Sequence, residues 1–201
     1  FHKNKSLGTI KINIPGKHNI LNSLAALALG IELDIPIDKL KKGINKYIGV
    51  RRRFEIKKNK HKLLIVDDYA HHPTEVLATI KAAKNGWNKK IISIFQPHLF
   101  SRTKDFFKEF AKSLFNSEVI ILTDIYPARE KPIKGVTSNL IIEELKQLGH
   151  VNTYYLENLE KLNQLLDTIV NQDDIVLTMG AGNIWRYNEK YNQHINAKNI
   201  F

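Results

Sequence analysis

"KLLIVDDYAHHPTEVLATIKAAK", residues 62–84, decides the reading of the fold. A nearly unbroken apolar run, Leu63 to Val66, ends in two acids. After a polar loop, Val76, Ile80 and Ala83 recur at helical spacing. A short apolar run feeding an amphipathic helix is the unit of a parallel sheet covered on both faces.

The unit recurs downstream. "KIISIF" (90–95) precedes a helix carrying Phe107, Phe110 and Leu114, and "EVIILTD" (118–124) precedes one carrying Ile141, Leu145 and Leu148. "NTYYLE" (152–157) precedes one carrying Leu159, Leu162 and Ile169, and "DIVLTM" (174–179) closes the series. Upstream, "GVRRRFEIKKNKHKLLIVDD" (49–68) reads as a turn and two strands. This pattern predicts a doubly wound α/β domain with a mostly parallel sheet over about 48–188 and a tail at 189–201 that is loose at its end.

Residues 1–47 have a different texture. "LGTIKINI" (7–14) alternates like a strand and stops at Pro15-Gly16. A helix follows with Ile20, Leu24, Leu27 and Ile31 on one face, then a shorter one over 37–47. The sequence starts at Phe1 rather than Met, which reads as a piece of something longer.

With 201 residues, 43% of them hydrophobic, the chain is long enough for one core and a smaller annex. It has no cysteine, so disulfides and thiolate chemistry are excluded, and no apolar run approaches a membrane span. A cytoplasmic location is expected, with no membrane partner. The net charge of +11 comes largely from dispersed lysines such as "KKNKHK" (57–62), so it reads first as a solvated surface. Basic and aromatic residues are not paired along a strand, which argues against nucleic acid.

In open parallel sheets the loops at the carboxyl ends of the strands meet on one edge, where ligands bind. Here those loops are "DDYAHHPTE", "QPHLFSRT" (96–103), "IYPARE" (125–130) and "GAGNI" (180–184), while the opposite ends are ordinary turns. Asp67 and Asp68 end a strand, so they point to opposite faces; at most one meets a ligand and the other caps or pairs. Adjacent His71 and His72 are poorly spaced to share a metal, so no metal site is assigned. One of them is as well explained by helix capping, since Pro73 and Thr74 start a helix. His98 and Arg102 lie on a loop entering a helix N-terminus, a natural anion site. Phe54 anchors the cluster Arg51–Arg53, so one arginine is held in place. "GAG" allows close backbone approach to a ligand. No G-x-x-x-x-G-K-[ST] loop is present, so the main phosphate cradle for any nucleotide lies outside this sequence.

"PGKHNILNSLAAL" (15–27), "GVRRRFE" (49–55), "DDYAHHPTEV" (67–76), "FQPHLFSRT" (95–103) and "LTMGAGNI" (177–184), in this order, resemble the Mur ligases over all but about the last dozen residues. The resemblance implies the C-terminal part of a three-domain enzyme: the end of a central ATPase domain, then a Rossmann-like ligase domain. The missing N-terminal and central domains would be its partners. It also implies use of ATP and Mg2+, the metal held mostly outside this chain, and ligation of L-alanine to UDP-N-acetylmuramate through an acyl phosphate. Asn19 and Asn22 match the adenine side of ATP, Arg53 the phosphates and Asp68 the ribose side. Tyr69, His71, His98 and Arg102 match positions lining the amino-acid and muramoyl carboxylate site, with His71, His98 and Arg102 in the catalytic role. Leu99 stands where arginine is common and Arg129 where glycine is common, so Arg129 is expected to offset Leu99. Two other readings stand beside this one: a ligase recycling whole murein peptides, and a non-catalytic binding module.

Overall fold

The structure, a computed structural model, describes residues 2, 5–57, 59–61 and 63–197, with the backbone alone at residue 18. It divides into two compact units, Phe1–Val50 and Arg51–Phe201.

In the first unit, α1 spans Lys17–Glu32 and α2 spans Ile37–Lys46. Gly30 lets them approach: a Cβ there would lie 2.9 Å from Leu40 Cδ1. The strand expected over 7–14 does not form. Gly8 sits at φ 75°, outside the β region, and no described segment of this unit offers a ladder partner. The apolar stripe of α1 is covered at Leu27, whereas Ile20 and Leu24 are exposed.

The second unit holds a six-stranded sheet. Its elements are β1 (Glu55–Lys57), β2 (Leu64–Asp68), α3 (Pro73–Gly86), β3 (Ile91–Phe95), α4 (Phe100–Leu114), β4 (Val119–Thr123) and α5 (Asn139–Gln147). There follow β5 (Thr153–Leu156), a 3-10 turn at Leu159–Lys161, α6 (Leu162–Ile169), β6 (Ile175–Met179) and α7 (Trp185–Ala197). The order across the sheet is β1-β2-β6-β3-β4-β5. All pairs are parallel except β1 with β2. The last strand in sequence is thus inserted between β2 and β3.

Strand alternation sorts the core into two layers. Val66, Phe95, Ile120, Leu122 and Leu177 pack with Val76 and Ile80 of α3, Phe110 and Leu114 of α4, and Ile141 and Leu145 of α5. Ile65, Ile92, Ile94, Ile121 and Val176 pack with Leu162 and Leu166 of α6 and Tyr191 and Ile195 of α7. The sheet is doubly wound, as the alternating runs predict.

The end of the tail expected to be loose, residues 198–201, lies outside the described ones, while from residue 189 as far as Ala197 the chain is part of the packed helix α7. Its inward positions are Asn188, Tyr191 and Ile195. Asn188 is buried, and its Nδ2 donates to Val66 O at 3.0 Å and Thr178 Oγ1 at 2.9 Å. A polar residue on the buried stripe disguised the periodicity.

Candidate functional site

The loops after β2, β3, β4 and β6 meet on the carboxyl edge of the sheet, as their composition suggested. Glu75 shapes the first of them. One oxygen, Oε2, accepts the amides of His71 at 2.9 Å and His72 at 3.2 Å and lies 3.3 Å from His71 Nδ1. Although burial raises its pKa, those amides and the His71 imidazole hold Glu75 below its ordinary value. His72 occupies the N-cap of α3, with Pro73 as the first helical residue. His71 is left facing the neighbouring loop.

Rings then run across the edge in sequence. Tyr69 meets His71 edge-on at 5.1 Å, His71 meets His98 edge-on at 5.9 Å, and His98 stacks on Tyr126 at 5.7 Å. Arg102, in the first turn of α4, reaches His71 O with Nη1 at 3.4 Å. The structure therefore brings Tyr69, His71, His98 and Arg102 together from two loops. His98 Nδ1 is buried and makes no hydrogen bond within the protein. Burial, then the charges of Arg102 and His71, push the His98 pKa below 6.5. At neutral pH the cluster offers a neutral imidazole beside a guanidinium, suited to gripping a carboxylate and taking up a proton.

The two acids of β2 divide their work. Asp68 accepts the amides of Phe54 and Ala70, each at 2.8 Å and each with a different oxygen. A ribose hydroxyl would have to share an oxygen already bound to backbone. Asp67, on the opposite face, lies 3.4 Å from Arg52 Nε. Arg53, matched to the ATP phosphates, is exposed, with its guanidinium 5.5 Å from the Tyr69 ring centroid. The arginine held in place is Arg52.

In the first unit Asn19 and Asn22 line one cavity of about 380 Å3 together with Ser23 and Tyr47. Asn19 Nδ2 donates to Pro15 O at 2.6 Å, which leaves its carbonyl oxygen for a ligand.

The glycines of "GAG" allow a close approach within the protein. A Cβ on Gly182 would lie 2.5 Å from Tyr126 Cγ and collide with Gln96 Oε1, and one on Gly180 would lie 2.9 Å from Gln96 O. Gln96 donates to Asn183 Oδ1 at 2.9 Å and accepts the Ile184 amide at 3.2 Å, tying the β3 and β6 loops. Sequence reading passed over Gln96, Tyr126 and Trp185, and left open which of Arg51, Arg52 and Arg53 is held. Only the "QPH" and "YPARE" context marked the first two, and nothing marked Trp185. Leu99 adopts φ 74° at the N-cap of α4, and Arg129 is exposed on the loop after β4. Its neighbour Glu130 binds both the amide and the hydroxyl of Ser101, which keeps that loop beside α4.

Among the described residues, no three or more His, Cys, Asp or Glu side chains are grouped to hold a metal ion. No step is assigned to Mg2+, which the resemblance places mostly outside this chain.

Residues 52–182 match the family model for the Mur ligase, glutamate ligase domain. The chain belongs to the Mur ligase family. UDP-N-acetylmuramate–L-alanine ligases are similar to this Mur ligase chain over nearly all its length. The Geotalea uraniireducens enzyme is 44% identical over 188 residues, covering 94% of the chain and 41% of the relative. The Salinibacter ruber enzyme is 44% identical over 190 residues, covering 94% and 40%. The chain thus spans about two fifths of the length of the curated relatives it matches. Among solved structures, the UDP-N-acetylmuramate-alanine ligase of Thermotoga maritima superposes with a TM-score of 0.80 at 29% identity, over 94% of this chain and 40% of that one. The Psychrobacter arcticus murein peptide ligase, at TM-score 0.64 and 18% identity over 98% and 41%, shares the fold. No described helix is long and apolar enough to cross a membrane.

Proposed function

We propose that this chain is the C-terminal portion of an ATP-dependent, cytoplasmic ligase joining L-alanine to UDP-N-acetylmuramate in peptidoglycan synthesis. The observation that carries the reading is the convergence of Tyr69, His71, His98 and Arg102 on one edge, with a buried nitrogen of His98 unpartnered. Identities of 43–45% to several L-alanine ligases support this substrate.

The chemistry is phosphoryl transfer followed by acyl transfer. The lactyl carboxylate takes the γ-phosphoryl group of ATP, forming an acyl phosphate and ADP. The amine of L-alanine then attacks the acyl carbon, and the tetrahedral adduct expels phosphate as the amide forms. Such a sequence depends on positioning and charge more than on a protein nucleophile. Arg102 holds a substrate carboxylate through its planar fork. His98, kept neutral, accepts the proton the ammonium group sheds before attack, with His71 orienting beside it. Arg53 meets the ATP phosphates, and Asn19 and Asn22 offer amide groups to adenine.

The test is ATP- and alanine-dependent turnover of UDP-N-acetylmuramate by the complete protein, with Asp68→Asn, His71→Ala and Arg102→Met. Loss of about 100-fold or more in kcat/KM for the His71 and Arg102 variants is expected. Full activity in both would refute the assignment. The 201 residues alone are expected to form neither acyl phosphate nor amide, and ligation by them would refute that.

A further inference from the structure

Arg53 is presented by a turn whose neighbours on both sides point inward. Arg52 and Phe54 have φ of 60° and 47°, a region that residues other than glycine enter at a cost. Such backbone persists only where the surroundings over-determine it. Phe54 is buried in the α3-side core, its ring 5.8 Å from Trp87 and its amide held by Asp68. Arg52 turns to the opposite face, where Asp67 lies 3.4 Å from Nε and Nη2 donates to Gly180 O at 2.5 Å. Its guanidinium stands 4.7 Å from the Tyr69 ring centroid and 5.9 Å from that of Trp185. The Arg52 carbonyl accepts the Tyr69 amide at 2.8 Å, and its own amide donates to Glu55 at 2.9 Å. Successive acids of one strand therefore grip, from opposite faces, the two residues flanking Arg53.

The Asp67 grip is costly. Arg52 Nε and Asp67 Oδ1 are buried without a hydrogen-bond partner, and Asp67 is 1% exposed. Apolar side chains of equal volume often serve stability as well as such a pair or better. A charge pair here is better explained by direction: a guanidinium fixed by an acid and a carbonyl gives Tyr69 and the turn one arrangement.

We propose that Arg52, held by Asp67, is a positioning residue that sets Tyr69 and aims Arg53 at the nucleotide. This rests on the proposed function, in which Arg53 meets the ATP phosphates. The complete protein is compared with Arg52→Met, Arg52→Lys, Asp67→Asn and the Arg52→Met/Asp67→Asn pair, with Arg53→Met as reference. KM for ATP, kcat and Tm are read for each. Arg53→Met is expected to raise KM for ATP about tenfold or more, and Arg52→Met and Asp67→Asn about fivefold with kcat changed less than about twofold. The pair should be no worse than Arg52→Met, since both remove one contact. Arg52→Lys should restore little, because an ammonium cannot span Asp67 and Gly180 as a fork does. A merely structural role would lower Tm and leave KM unchanged. Unchanged KM in Arg52→Met and Asp67→Asn, beside a large effect in Arg53→Met, overturns the positioning role and leaves the functional reading intact. If Arg53→Met has no effect, the ATP reading of Arg53 fails, and Tyr69 decides. Its ring resonances in the 201-residue chain, identified with Tyr69→Phe, should shift in Arg52→Met and Asp67→Asn, and unshifted resonances overturn the proposal.

Discussion

His98 and Tyr126 stack with ring planes 12° from parallel, and their backbones meet in an isolated parallel bridge. The bridge comes from Tyr126 N donating to Pro97 O at 2.8 Å and Leu99 N donating to Tyr126 O at 3.0 Å. The imidazole is thus held by a ring on the next loop. Tyr126→Ala should cost about 1 kcal/mol of aromatic contact and lower kcat/KM of the complete protein about fivefold, while Tyr126→Phe stays near wild type. Equal activity in Ala and Phe variants would show that the stack does not position His98.

The lowered pKa of His98 has a separable cause in Arg102. Burial comes first, and Arg102 and His71 add charge repulsion against protonation. A histidine lowered in the folded state contributes stability that is present above pH 6.5 and lost as pH falls through the folded value. Ring resonances of His98 should titrate below 6.5 in the wild type and move upward in Arg102→Met. An unmoved midpoint would exclude Arg102 as a cause.

Asp67 has the opposite sign. Burial raises its pKa to about 6 from 3.8, against the attraction of Arg52 and then Lys57, with Glu55 and Asp68 adding repulsion. The folded state binds the extra proton between those values, so the Asp67 contribution is greatest at low pH and is lost as pH rises through about 6. Relative to wild type, Asp67→Asn should therefore be more favourable at pH 8 than at pH 4.5 by roughly 2 kcal/mol. Urea unfolding at the two pH values checks this, and an equal difference at both would disprove it. The charge that aims Arg52 is paid for in stability.

Gly182 separates space from conformation. Its added Cβ meets Tyr126 and Gln96, on the loops after β4 and β3. Gly182→Ala should destabilise by about 1–3 kcal/mol through overpacking and lower activity together with stability. Retention of full stability would mean that the loops give way more readily than their packing implies.

Periodicity alone determined a great deal. Apolar runs and amphipathic helices specified the parallel sheet, and polar loops at the strand ends specified the edge where Tyr69, His71, His98 and Arg102 meet. Both readings hold because strand alternation and helical repeat are local properties. Tertiary structure decided the rest. That β6 lies between β2 and β3, that Asn188 is a buried position of α7, and that residues 7–14 form no strand all depend on which segments pair. The pleat requires Asp67 and Asp68 to face opposite ways. Only the packing of the 51–54 turn decided that Asp68 would hold a backbone amide, Asp67 would hold Arg52, and Arg53 between the two held residues would be left outward.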